Sequence, residues 1–309
     1  MARMGLSLHM PEKYRSRLRI GTCSWKYDSW KGLVYDPRKQ YAAADYLTDY
    51  AKLFNTVEID QWFWSLFPQG AKLPEVRTVQ RYAQSVPDDF LFTVKVPNAI
   101  TLTHYYAKQP AAMKEYANRP NPHFLDVDLL NRFLEILAPL HGKLGPLMFQ
   151  FEYLNKQKMP SLAVFLDQLD AFFGQAPHGV AYAIETRNPN WLVAELFDFL
   201  RQRGLGFVLL EGYYMPPIAE VAARHNVRTA GFSVIRLHGP DRQGIEARTG
   251  GQWSEIAEPK DDGLRATAAL ISENTDVAID TVVNVNNHYE GCAPLTIQRL
   301  LQRLTPLPA

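Results

Sequence analysis

Eight short apolar runs, each followed by a stretch with apolar residues at helical spacing, punctuate this chain, and that alternation is what most limits its fold. The runs lie at residues 18–23, 56–60, 91–96, 146–151, 180–185, 205–210, 232–237 and 281–286. Helical patterns occupy 42–54, 129–138, 162–173, 192–202 and 264–273, Gly204 reads as a C-terminal cap, and a last helix opens near Pro294. Strands joined in sequence by helices run parallel, with right-handed crossovers, and eight such units close a sheet without edges. The expectation is therefore an α/β fold, a single (β/α)8 TIM barrel over residues 1–309 with 1–17 as an N-terminal extension. An open doubly wound sheet would alternate in the same way, but Gly21-Thr22-Cys23-Ser24-Trp25 is not a glycine-rich dinucleotide fingerprint.

Bulk properties narrow the functional classes. At 309 residues and 47% hydrophobic content the chain can bury one large core. Its 33 Lys and Arg against 32 Asp and Glu give a net charge of +1, no global footprint for duplex nucleic acid or an anionic membrane. Residues 1–11 lack the apolar core of a secretory signal. No later run reaches the roughly 18 apolar residues that span a bilayer, so a soluble, cytoplasmic protein without membrane partners is expected. Cys23 and Cys292 are too few for a disulfide scaffold or a four-cysteine zinc site, and they read as reduced, buried thiols.

Several strand runs end in charged or amide side chains where a strand covered on both faces should continue in Val or Leu. Side chains alternate across a strand, so Glu58 and Asp60 share one face while Val57 and Ile59 take the other. The same parity groups Thr93 with Lys95, Met148 with Gln150, Ala183 with Glu185, Val234 with Arg236 and His238, and Asn284 with Asn286 and His288. Ionised groups on such an inward surface need opposite charges, hydrogen bonds or neutralisation. Strands two and three adjoin, which suggests a Glu58–Lys95 ion pair, and Glu185 would reach Arg236 across one strand. TIM barrels carry chemistry at the carboxyl ends of their strands. Glu58, Lys95, Glu185, Arg236 and His238 are accordingly the candidate catalytic groups, with Trp25, Asp60, Gln150, Arg187, Asn286, Asn287 and His288 as candidate substrate contacts. A charge network that merely fixes the barrel's interior layers is the competing account.

The connections after strands three and seven, 97–128 and 239–263, exceed ordinary turns and are expected to act as lids or binding loops. The first holds His104, Tyr105, Tyr106, Lys108, Tyr116, Arg119, Asn121 and His123. After strand eight, Asn286-Asn287-His288-Tyr289-Glu290-Gly291-Cys292 precedes a helix whose N-terminal N–H groups suit a phosphate or carboxylate, with Arg236 and His238 alongside. Trp25, Tyr27, Trp30, Trp62, Phe63, Trp64 and Trp191 follow strands and are candidate stacking walls for a sugar or a base.

The leading functional expectation is an enzyme, a hydrolase, lyase or isomerase, acting on a small polar or anionic ligand such as a sugar or phosphorylated metabolite. Glu58 or Glu185 would be its acid or base, and Lys95, Arg236 and His238 would stabilise charge. A glycosidase is one concrete form, since it needs two carboxylates at a set separation. A metal centre would require Glu58, Asp60, Glu185 or His288 to converge, and no compact ligand motif calls for a metal or cofactor. The alternative is a nucleotide or single-stranded nucleic-acid binding module built on the aromatics and the basic loop 103–123, against which the near-neutral charge counts. A third reading pairs Cys23 with Cys292 as a redox couple, because strands one and eight adjoin in a closed barrel.

Taken in order, several motifs resemble the YecE-like family, the domain of unknown function seventy-two. They are Ile20-Gly21-Thr22-Cys23-Ser24-Trp25, Phe54-Asn55-Thr56-Val57-Glu58-Ile59, Phe92-Thr93-Val94-Lys95, Leu144-Gly145-Pro146-Leu147-Met148-Phe149-Gln150, Ile184-Glu185-Thr186-Arg187-Asn188-Pro189-Asn190-Trp191, Arg236-Leu237-His238-Gly239 and Asn286-Asn287-His288. The resemblance covers most of the chain and implies a TIM barrel, while carrying no catalytic assignment. Cys23-Ser24 departs from the more usual Gly-Thr-Ser-Gly-Trp form of the first motif, and Cys292 stands where a small residue such as Ser would be unsurprising.

Overall fold

The computed structural model describes residues 5–305, so residues 1–4 of the expected N-terminal extension lie outside the described residues. Eight parallel strands close into a barrel: β1 (Leu18–Cys23), β2 (Thr56–Ile59), β3 (Leu91–Lys95), β4 (Leu144–Gln150), β5 (Tyr182–Glu185), β6 (Gly206–Gly212), β7 (Phe232–Gly239) and β8 (Asp280–Val285). Neighbours in sequence are neighbours in the sheet, and β8 pairs with β1 to complete the ring. The expected (β/α)8 architecture is the one observed.

Parity along the strands decides what the barrel encloses. Val57, Ile59, Val94, Phe149, Ile184, Ile235, Leu237, Val283 and Val285 turn outward into the main apolar core shared with the helices. Each such side chain contributes roughly 1.5–3 kcal/mol when fully buried. Met148, Ala183, Val208 and Val234 form a separate small apolar cluster on the opposite parity, inside the barrel. The polar strand ends continue that inner parity toward the carboxyl end.

Local signals set several boundaries. Asp126 accepts from the backbone N–H of Leu129 at 2.9 Å and Ser161 from that of Val164 at 3.2 Å, starting the helices Val127–Leu137 and Leu162–Phe173. Gly204 takes the left-handed conformation that ends Ala194–Arg203, as its position suggested. Helices Val76–Gln84, Ile218–Arg224 and Arg242–Thr249 and a short hairpin, Leu66–Phe67 with Gly70–Ala71, are further elements beyond the sequence pattern. Gly21 permits closure between β1 and β2, since a Cβ there would fall 1.8 Å from the Thr56 carbonyl oxygen.

The connection 97–128 folds back on itself. Asn121 Nδ2 donates to the carbonyls of Ala99 and Leu102 at 2.7 and 2.6 Å, and His104 bridges to Pro120. Tyr105 is buried against Tyr116, whose ring also carries Arg119, and His123 meets Asp126. The basic and aromatic residues of this loop are thus largely engaged with one another.

Candidate active site

Arg236, on the inner face of β7 and 1% exposed, organises the carboxyl end of the barrel. It donates from Nε to Glu58 Oε2 at 2.8 Å and from Nη2 to Glu58 Oε1 at 2.6 Å, a two-pronged contact that matches a planar carboxylate. Its Nη1 donates to Glu185 Oε2 and, at 3.3 Å, to Gln150 Oε1. Arg187 completes the cluster, donating from Nε to Glu185 Oε1 at 2.7 Å and from Nη2 to Gln150 Oε1 at 3.3 Å. Two guanidiniums and two carboxylates cancel, which is how charge is tolerated at such depth.

Burial works to raise the Glu185 carboxyl, but Arg187 and then Arg236 prevail and hold it at about 2. Burial likewise opposes the charge on Arg236, and Glu185 and Glu58 override it. Glu185 is therefore a fixed anion.

The expected Glu58–Lys95 ion pair is not formed. The register sets Glu58 against Thr93 and Ile59 against Val94, so Lys95 lies two positions nearer the mouth than Glu58. Arg236, long enough to cross the barrel, reaches Glu58 instead, while the Glu185–Arg236 contact forms as parity suggested. Carried one residue further, the register brings Asp60 beside Lys95. Both are half-buried, and among the described residues neither has a salt-bridge partner. Lys95 Nζ sits 3.9 Å from the centroid of the Phe63 ring. Burial and then Arg236 push the Lys95 amine down, and burial and then Glu58 push the Asp60 carboxyl up.

His238 and Cys23 line the other side. Cys23 Sγ donates to Glu58 Oε2 at 3.4 Å and lies 3.5 Å from His238 Nε2, and His238 Nδ1 meets the Tyr213 hydroxyl at 3.1 Å. Burial and then Arg236 hold His238 well below its usual value, so it is neutral. Burial and then Glu58 hold Cys23 as a thiol. Tyr213 was not foreseen from sequence. It has a left-handed backbone (φ 55°) directly after Gly212, stacks under the Arg187 guanidinium at 4.1 Å, and has only its place at the end of β6 as a sequence signal. Ser24 is also left-handed (φ 70°), at the position where the usual motif has glycine.

Among the described residues, Cys23, Glu58 and His238 are the group whose potential metal-ligand atoms lie within 4.8 Å of one another, a set different from the Glu58, Asp60, Glu185 or His288 that a metal centre would have required. Both Glu58 oxygens already accept from Arg236, and the trio reads as a hydrogen-bonded chain. Cys292 is a free buried thiol at the start of the last helix, Ala293–Leu304, and Cys23 is free as well.

Asn286, Asn287 and His288 do not join the Arg236 cluster. Asn286 Oδ1 accepts from the His288 backbone N–H at 3.0 Å, and His288 Nε2 turns to Glu246 at 2.9 Å, tying the loop after β8 to helix Arg242–Thr249. Asn287 Oδ1 accepts from the Ala293 N–H at 2.9 Å, and Pro294 has none to offer. Buried Glu290 accepts from the Lys260 backbone N–H at 2.6 Å and from Thr296 Oγ1 at 2.8 Å, and it pairs with Arg299. The Asn287 amide thus caps the first N–H of the last helix, at the place where an anion was expected.

Most of the aromatics proposed as stacking walls are core residues. Trp25, a candidate substrate contact, is 1% exposed with its ring edge-on to Tyr82, Trp62 stacks on the same Tyr82, and Trp191 stacks on Phe165. Trp30 is buried against Tyr27. Trp64 alone of the tryptophans is exposed, and Tyr153 and Tyr214 stand exposed on the loops after β4 and β6. A cleft of about 790 Å³ lined by Leu134, His141, Leu144, His178 and Ala181 opens at the opposite, amino ends of β4 and β5, where TIM barrels are built for stability. The charged constellation, not that cleft, marks the candidate site.

Residues 19–308 match the family model described as "Protein of unknown function DUF72". The chain belongs to the DUF72 family. A DUF72 protein from Thermotoga maritima is similar in structure at 21% identity and a TM-score of 0.65, over 93% of this chain and 99% of that one. A DUF72 protein from Enterococcus faecalis V583 gives 19% identity and a TM-score of 0.62, over 94% and 99%. These likenesses bear on the fold. No protein with a curated description matches the sequence. Among the described residues of this DUF72 chain, no helix is long and apolar enough to cross a membrane.

Proposed function

We propose that this DUF72 chain is an enzyme acting on a small polar substrate seated over the Arg236 cluster, with Lys95 and Asp60 as its proton-transfer pair. The observation that carries this reading is the division of charge at the mouth. Glu58, Glu185, Arg236 and Arg187 neutralise one another, whereas Lys95 and Asp60 adjoin outside that network and are half-buried. Their surroundings favour the free amine and the carboxylic acid, and groups driven toward neutral forms exchange protons most readily near neutral pH.

The acid–base role thereby moves away from Glu58 and Glu185. Both accept hydrogen bonds from Arg236, which is unsuited to the free carboxylate pair of a glycosidase. Gln150 and Arg187, half-buried, can orient substrate hydroxyl or carboxylate groups. Proton abstraction beside a carbonyl, the chemistry of lyases and isomerases, suits this set best.

The test is a screen of small sugars, sugar acids and oxo acids by NMR product detection. Lys95→Met and Asp60→Asn are each expected to lower kcat/KM by about 10²–10⁴-fold while circular dichroism stays unchanged. Wild-type rates in both variants would sink the assignment.

A further inference from the structure

We infer that Lys95 is a covalent catalyst whose amine captures the carbonyl group of a small aldehyde or ketone as an iminium at the barrel mouth. This rests on the role given to Lys95 and Asp60 above and adds a bond to it. Lys95 ends β3 on the inward parity, at the carboxyl end, half-buried. A lysine placed only to neutralise buried acid would sit on a carboxylate. Here the two fully buried carboxylates at the barrel mouth both belong to Arg236, and Glu185 also to Arg187. Lys95 Nζ instead lies over the Phe63 ring at 3.9 Å, which satisfies none of its hydrogen-bonding capacity.

Desolvation and a neighbouring cation are the two means by which a lysine becomes a nucleophile, and both are present. Burial supplies the first and the nearby Arg236 guanidinium the second. The neutral amine attacks the carbonyl carbon: a C–N bond forms, the C=O π pair moves to oxygen, and that oxygen takes a proton from the Asp60 carboxylic acid. The nitrogen proton passes to solvent, the carbinolamine oxygen is protonated and leaves as water, and the nitrogen lone pair forms C=N⁺. One amine, one carbonyl and one proton give one iminium and one water, with no change of oxidation state. Glu58, one inward position deeper than Asp60 on β2, offers negative charge to the cation, and the iminium draws electrons from the adjacent C–H or C–C bond.

The experiment treats the full-length protein near neutral pH with limiting glycolaldehyde and sodium cyanoborohydride, followed by digestion and peptide mass spectrometry. Lys95 is expected to be reductively alkylated at least about tenfold faster than exposed Lys26 and Lys156. Equal or slower labelling at Lys95 overturns the covalent role. Lys95→Met, checked for fold by thermal melt, should lose that single product and leave the others. If Lys95 is unlabelled while Lys95→Met still abolishes turnover, the iminium falls and the proton-transfer reading stands; if turnover also persists, both fall.

Discussion

Replacing Arg236 with methionine would leave Glu58 and Glu185 buried without their shared counter-charge. Uncompensated charge of this kind costs about 3–5 kcal/mol, so urea denaturation of Arg236→Met should show a loss of that size. Lowering the pH attacks the same contacts from the other partner. Glu185 titrates at about 2 in the folded chain against an ordinary 4.5, so its pairs contribute fully above pH 4.5 and are lost as the pH falls toward 2. That difference amounts to on the order of 3 kcal/mol. His238, held neutral in the fold, adds to the acid loss from 6.5 downward, because the unfolded imidazole takes a proton that the folded one refuses. Melting temperatures should decline between neutral pH and about pH 3, and Glu185→Gln should flatten the lower limb. At this scale the Glu185–Arg236 contact was legible, since parity and strand order suffice to suggest it. The partner of Glu58 was not, because it depends on register between strands, and a shift of two positions moves Lys95 past Glu58 and brings it beside Asp60.

Strand parity was the most readable property of the elements: outward Val and Ile, inward polar ends. Strand limits deviate by only a few residues, as where β6 runs on to Gly212 and β7 to Gly239. Helix Val76–Gln84 escaped notice for a physical reason: its core-facing side is only Val79, Tyr82 and Ala83 within 9 residues, too short a run for the apolar spacing to repeat. Loops were the least legible, because spacing does not say whether a tryptophan after a strand turns into the core or toward solvent. Single amides hold these loops. Buried Asn188, after β5, accepts from the Leu154 N–H at 2.8 Å and donates to its carbonyl at 2.9 Å, joining the loops after β4 and β5. Asn188→Ala leaves both backbone groups without partners and should cost about 2–3 kcal/mol in chemical denaturation.

For the whole molecule, the closed ring needs tight seams between neighbouring strands, and the one between β1 and β2 depends on a single glycine. Gly21 on β1 allows the Thr56 carbonyl to approach where any side chain would collide. Gly21→Ala should cost more than about 3 kcal/mol, read as a lower unfolding midpoint with weakened β1–β2 pairing, since rigid backbone stands on both sides. Alternation made the barrel legible in sequence. It could not reveal that a second charge contact of Arg236 runs across the barrel, from β7 to β2. Strands tied through the middle act as spokes in a wheel, each cross-tie adding a contact that any widening of the ring would have to break. Under the proposed function, selection of substrate by size would then fall to the loops beyond the rim, where Trp64, Tyr153 and Tyr214 stand exposed, and not to the staves.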